Sequence, residues 1–233
     1  MTSTTTTRAL TSDLTSNLIL VTGGARSGKS RFAEQLAASL GARVAYVATA
    51  TPGDEEMQAR IQAHKERRPP EWVTIEEPYD VTRAIQRLTY GPCAHDFDYT
   101  NSECTYDLDH PDYDPGKQLD EDRGNRNQGK SDVDVVLVDC ITLLVSNLLA
   151  AGRDGEQVLA EISRLAEVAS TCCIPVIVVS NEVGMGIVPE YPLARLYRDV
   201  HGRANQILAA AAREVYVLFS GIPLEIKRLA RST

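Results

Sequence analysis

An α/β fold built on a mostly parallel sheet is what this 233-residue chain predicts, and three observations carry the prediction. Gly23-Gly24-Ala25-Arg26-Ser27-Gly28-Lys29-Ser30 fits the phosphate-cradling pattern G-x-x-x-x-G-K-[ST]. It lies between the apolar run Leu18–Val21 and a segment with Phe32, Leu36 and Leu40 at helical spacing, the strand–loop–helix setting such a loop needs. Aliphatic runs and helical patterns then alternate, as strands joined by helices and covered on both faces do. Each chemistry-bearing motif falls just after an aliphatic run, where sheets of this kind bind ligands.

The first strand, Leu18–Val21, delivers the glycine loop, whose N–H groups and following helix N-terminus suit a polyphosphate. Lys29 is expected at the β- and γ-phosphates and Ser30 at a Mg²⁺ ion. Val44–Ala48 reads as a second strand and Glu55–Arg67 as a helix with an acidic first turn and a basic last turn. Met57, Ile61 and His64 are spaced i, i+4, i+7, which puts His64 on the inward face of that helix. There it is either a packing residue or, beside Lys65, Arg67 and Arg68, a nucleophile for a nucleotide's α-phosphorus.

A third strand, Val133–Val138, ends at Asp139. That carboxylate either anchors Mg²⁺ beside the phosphate loop or caps the helical segment beginning at Ile141. Gln157–Ser170 reads as a helix and Val176–Val179 as a strand. Next come Ser180-Asn181-Glu182-Val183-Gly184-Met185-Gly186, more a site loop than a turn, because glycines allow close backbone approach to a ligand. The helix Leu193–Ala212 carries Arg195, Arg198 and Asn205 at helical spacing, either a phosphate-facing row or a solvated ion-pair cluster. Val215–Phe219 is the last predicted strand.

Composition narrows the function class. The net charge of −8 is concentrated in residues 91–132, which hold eleven Asp or Glu against four Lys or Arg. Neither this acidic segment nor the near-neutral remainder offers the basic stripe of a nucleic-acid binder. The segment is rich in Asp, Asn, Tyr, Gly and Pro and poor in aliphatics. Of the two readings for so long a stretch, a functional lid or a disordered insertion, low hydrophobicity and same-sign charge favour the insertion. Its Cys93, His95, Cys104 and His110 match none of the usual zinc spacings. Residues 1–17, rich in Thr and Ser, lack an apolar signal-peptide core and read as a loose tail. No apolar run suffices for a membrane span, and five cysteines without framework spacing suit reduced thiols in the cytoplasm. One domain, 18–233, is expected.

Taken together, Leu20–Ser30, Tyr46–Thr49, Met57…Arg60-Ile61…His64…Arg68-Pro69, Asp139-Cys140-Ile141-Thr142, Ser180–Pro189, Arg198-Asp199…Gly202-Arg203…Asn205-Gln206 and Ser220-Gly221 form a familiar series. It closely resembles the bifunctional adenosylcobinamide kinase/adenosylcobinamide-phosphate guanylyltransferase family of cobalamin biosynthesis, over residues 18–90 and 133–227. The resemblance implies a RecA-like P-loop NTPase fold with three layers, a homotrimer, and two reactions. The aminopropanol hydroxyl of adenosylcobinamide takes a phosphoryl group from ATP or GTP, and GTP then gives GMP to that phosphate through a guanylyl-histidine. His64 matches the family's nucleophile. The loop 23–30 (Gly23, Gly24, Ala25, Arg26, Ser27, Gly28, Lys29, Ser30), Ala48, Thr49, Ala50, Lys65, Glu66, Arg67, Arg68, Asp139 and either Glu76 or Glu77 match its nucleotide contacts. Two readings compete with it: a small-molecule kinase with His64 merely packed, and a nucleotide-sensing regulator.

Overall fold

Strands β1 (Leu18–Gly23), β2 (Val44–Ala48), β3 (Val73–Glu76), β4 (Val135–Asp139), β5 (Val176–Val179), β6 (Glu214–Phe219) and β7 (Ile222–Glu225) join into one sheet in the order β3-β2-β4-β5-β1-β6-β7. The computed structural model describes residues 16–53, 55–90, 132–186 and 188–230. Every strand pair is parallel except the β6–β7 hairpin. The expected strands are present, Val44–Ala48 and Val176–Val179 with the expected ends and the others shifted by a residue or two. Two edge strands, β3 and β7, add to them: β3 is mostly exposed, and β7 carries Pro223, which an edge tolerates.

Helices α1 (Lys29–Leu40), α2 (Glu55–Arg67), α3 (Val81–Tyr90), α4 (Ile141–Ala150), α5 (Gly155–Thr171), α6 (Pro192–Ala211) and α7 (Ile226–Ala230) complete the chain. Successive strand residues point to opposite faces, so each strand feeds two cores. Leu18, Leu20, Ala45, Val47, Val136, Val138, Val176 and Val178 pack against α3, α4, α5 and α6. Ile19, Val21, Val44, Tyr46, Val135, Leu137, Ile177 and Val179 pack on the other side, against Ala33 and Ala37 of α1 and against Trp72. That is the three-layer arrangement, and it explains the aliphatic runs: strands covered on both faces have no polar side to show. Each fully buried Leu or Ile contributes about 1.5–3 kcal/mol.

This order puts β5 between β1 and β4, so the carboxyl ends of these three strands, and the loops after them, lie side by side. Ser16 and Asn17, assigned to the tail by composition, are tied down: Ser16 Oγ donates to the Ala211 carbonyl and Asn17 Nδ2 to that of Cys172. The rest of the expected tail, the segment 91–131 and its four Cys and His lie outside the described residues.

Candidate active site

β1 ends at Gly23, and α1 begins at Lys29 with Gly28 as its N-cap. Gly28 has φ 93° and Arg26 φ 57°, a left-handed curl that turns the loop back over the helix. No side chain caps α1 and no acidic residue sits in its first turn, so its N–H groups and dipole are open to an anion. Lys29 Nζ donates to the Gly24 carbonyl at 3.2 Å, which arches the side chain over the loop.

In front of the loop lies a cavity of about 830 Å³, at the upper end of the ~300–1,000 Å³ typical of small-molecule sites. Ala25, Arg26, Lys29 and Ser30 form its phosphate-loop wall. Ala48, Ala50 and Asp139 line it from the strand ends, His64 and Lys65 from α2, Arg68 from just beyond it, and Glu76 from β3. Asn181, Glu182 and Val183 close it after β5. The cavity thus joins residues of six separate segments.

Asp139 is the last residue of β4, and Cys140, without a side-chain cap bond, is the N-cap of α4. The capping alternative for Asp139 is therefore removed. Its Oδ2 accepts a hydrogen bond from the Tyr46 hydroxyl at 2.9 Å. The Arg68 guanidinium lies 3.7 Å from the centre of the Tyr46 ring, while its Nε donates to the His64 carbonyl at 2.8 Å and its Nη1 to Thr74 Oγ1 at 2.9 Å. Cation–π contact and hydrogen bonds thus fasten the last turn of α2 to β2 and β3. Burial and the neighbouring Asp139 charge both push the Tyr46 phenol pKa far up, so it remains a donor.

His64 is half-buried on the cavity wall. Burial lowers its pKa; the charge of Asp139 opposes that and Arg67 adds to it, and the net shift is downward from 6.5. The imidazole is therefore neutral at pH 7, the form with a nucleophilic lone pair. Arg67 Nη2, itself paired with Glu34 at 2.7 Å, stands 3.4 Å from His64 Nδ1. A guanidinium only donates, so Nδ1 is the acceptor and Nε2 carries the proton. Either ring nitrogen can attack only after this long, weak contact gives way.

Not every sequence-assigned residue faces the cavity. Thr49 is fully buried, its hydroxyl donating to the Cys140 carbonyl and accepting from the Cys140 N–H, so it fixes the β4–α4 junction instead. Glu66 accepts from Gln62 Nε2 along α2, and Arg67 turns to Glu34; neither lines the cavity. Of Glu76 and Glu77, Glu76 lines the cavity and pairs with Lys65 at 2.6 Å, whereas Glu77 accepts from the N–H groups of Tyr79 and Asp80 in the turn before α3. The row Arg195, Arg198, Asn205 divides. Arg195 donates to the carbonyls of Pro189 and Glu190, Arg198 pairs with Asp199, and Asn205 is buried against Ser180 and Glu182. The sequence did not reveal that Tyr46 bonds Asp139, nor that Thr142 Oγ1 accepts from the backbone N–H and Nδ2 of Asn181. Their only sequence signal is a hydroxyl within an otherwise apolar strand end or helix start, and their partners are distant in the chain.

For Mg²⁺ the donor set fits. Ser30 and Asp139 offer hard oxygens to one cavity beside the phosphate loop, and Mg²⁺ commonly binds through one or two protein oxygens plus phosphates and water. No group of three or more His, Cys, Asp or Glu that would form a protein-only metal cage occurs among the described residues.

A family model described as "Cobinamide kinase / cobinamide phosphate guanyltransferase" matches residues 19–94 and 117–226. The bifunctional adenosylcobalamin biosynthesis protein CobU of Escherichia coli (strain K12) is 38% identical over 222 residues, covering 90% of this chain and 99% of its own length. The CobU protein of Salmonella typhimurium is 41% identical over 222 residues, with the same coverage. The bifunctional protein CobP of Pseudomonas aeruginosa is 34% identical over 208 residues, covering 89% of this chain and 96% of its own. Among solved structures, the RadB recombinase aligns with a TM-score of 0.40 at 18% identity, over 87% of this chain and 74% of that one.

Proposed function

The chain belongs to the cobinamide kinase/cobinamide phosphate guanyltransferase family, and from that premise we propose that one cavity performs both reactions in turn, with His64 carrying GMP between them. The observation behind this reading is the meeting of the phosphate loop, Asp139 and His64 on a single cavity. In the first reaction the hydroxyl oxygen of adenosylcobinamide bonds to the γ-phosphorus of ATP or GTP, and a nucleoside diphosphate leaves. Lys29 and the N–H groups of the loop neutralise the phosphates, which is most of what phosphoryl transfer asks of a protein.

In the second reaction a His64 nitrogen bonds to the α-phosphorus of GTP, the bond from that phosphorus to the bridging oxygen breaks, and pyrophosphate departs from the loop that held it. A phosphate oxygen of adenosylcobinamide phosphate then displaces the imidazole, giving adenosylcobinamide-GDP and freeing His64. Ser30 and Asp139 would hold Mg²⁺, which supplies further charge neutralisation on the phosphates. Arg68 orients the turn carrying His64, and Arg67 must release the imidazole before attack. A homotrimer acting in the cytoplasm completes the proposal; the thiols of Cys140, Cys172 and Cys173 are all free.

The test is incubation with α-labelled GTP and Mg²⁺. Label on the protein that survives base and is lost in acid is expected, and it should vanish in His64→Ala while phosphorylation of adenosylcobinamide persists. Undiminished label in His64→Ala would remove His64 from the mechanism, and no label in the parent chain would leave a kinase alone.

A further inference from the structure

Glu182 is the first charged residue after β5, the strand between β1 and β4, so it emerges between the loop that carries Lys29 and the strand that ends in Asp139. Its N–H donates to the Gly23 carbonyl at 3.0 Å, which pins the backbone to the first residue of the phosphate loop. Thr22 Oγ1 donates to its Oε1 at 2.9 Å and Asn205 Nδ2 to the same oxygen at 3.2 Å. Asn205 is fixed in turn: Ser180 Oγ donates to its Oδ1 at 2.6 Å, and its Nδ2 also donates to the Asn181 carbonyl at 2.8 Å. This is a carboxylate held by one oxygen in a built frame, with no hydrogen bond to Oε2 among the described residues.

The other cavity carboxylates are engaged. Asp139 accepts from Tyr46 and faces the expected metal, and Glu76 is paired with Lys65. Glu182 is the one anchored against the phosphate loop itself, where the γ-phosphate and its attacker must meet. We infer that Glu182 is the general base of the phosphoryl-transfer step and has no part in the guanylyl step. The inference rests on the functional reading above. As the acceptor oxygen bonds to the γ-phosphorus, the bond from that phosphorus to the bridging oxygen breaks. The nucleoside diphosphate leaves with the electron pair, and the hydroxyl proton passes to Glu182 Oε2 and then to water. Transfer to His64 needs no such base, because a neutral imidazole attacks through a lone pair that carries no proton, once Arg67 has released it.

The experiment compares the full-length parent chain with Glu182→Gln and Glu182→Asp in two assays: phosphorylation of adenosylcobinamide by ATP, and labelling of the protein by α-labelled GTP. Glu182→Gln should lower kcat for phosphorylation by about 10²–10⁴-fold, the usual worth of a general base, and leave GMP labelling within a few-fold of the parent. Glu182→Asp, which keeps the carboxylate, should recover part of the rate. Near-parental phosphorylation by Glu182→Gln overturns the inference. Equal loss of both activities overturns it too, because it assigns Glu182 a structural role. A parent chain that does not phosphorylate adenosylcobinamide overturns the functional reading, and the inference with it.

Discussion

Two histidines, His64 and His201, have depressed pKa values, and their surroundings give them different work. His64 reaches the cavity, so its neutrality would serve the attack on phosphorus proposed for it. His201 is fully buried under the loop that follows β5, with Nε2 3.2 Å from Thr142 Oγ1 and 3.4 Å from Ser180 Oγ, and Nδ1 without a partner among the described residues. Burial lowers its pKa to about 4. In the unfolded chain the same imidazole titrates near 6.5, so between these values the unfolded state binds a proton that the folded state does not. Stability therefore falls as pH drops from about 6.5 towards 4, by up to about 3 kcal/mol for this group. Urea denaturation across that range should show this acid slope, with a shallower one in His201→Gln; identical slopes would exclude His201 as its source.

At the scale of elements, the phosphate loop depends on how closely β1 meets β6. A Cβ on Gly23 would lie 2.7 Å from the Leu218 carbonyl oxygen and 2.8 Å from Ser27 Oγ, at a φ of +153°. The carbonyl belongs to a paired strand and cannot swing aside. Gly24 has nothing within 4 Å of such a Cβ. Gly23→Ala should therefore cost about 1–3 kcal/mol of stability, the range for overpacking a close-packed site, and weaken nucleotide binding. Gly24→Ala should leave the melting temperature within about 1 °C of the parent, a shift corresponding to a few tenths of a kcal/mol. Comparable losses in the two variants would mean that the loop is not braced from β6. The turn between β6 and β7 adds a second support, because Gly221 N–H donates to the Ser27 carbonyl at 2.9 Å.

At the scale of the molecule, what was legible in the sequence follows from burial. Strands covered on both faces must be aliphatic throughout, so Val44–Ala48 and Val176–Val179 stood out with correct bounds. Edge strands escape that demand: β3 and β7 are mostly exposed, and no apolar run marked them. α4 is almost wholly apolar, and its period cannot separate a buried helix from a buried strand. The phosphate loop was readable because its chemistry lies in consecutive residues. Tyr46 with Asp139, or Glu182 with Asn205, could not be read, since each contact joins strand tips and helices that only the sheet order brings together. The family model leaves residues 95–116 unmatched, within the acidic segment that composition had set apart.

That shared sheet end is why a single cradle can serve two transfers, and Lys29 tests the idea most directly. The measurement is the rate of each half-reaction, phosphorylation of adenosylcobinamide by ATP and formation of the GMP-protein adduct from GTP, in Lys29→Ala against the parent chain. One common phosphate site predicts that both rates fall together, each by at least about 10²-fold, as expected when an electrostatic contact made in the transition state is removed. Loss of one half-reaction with the other intact would contradict it and require two separate nucleotide sites.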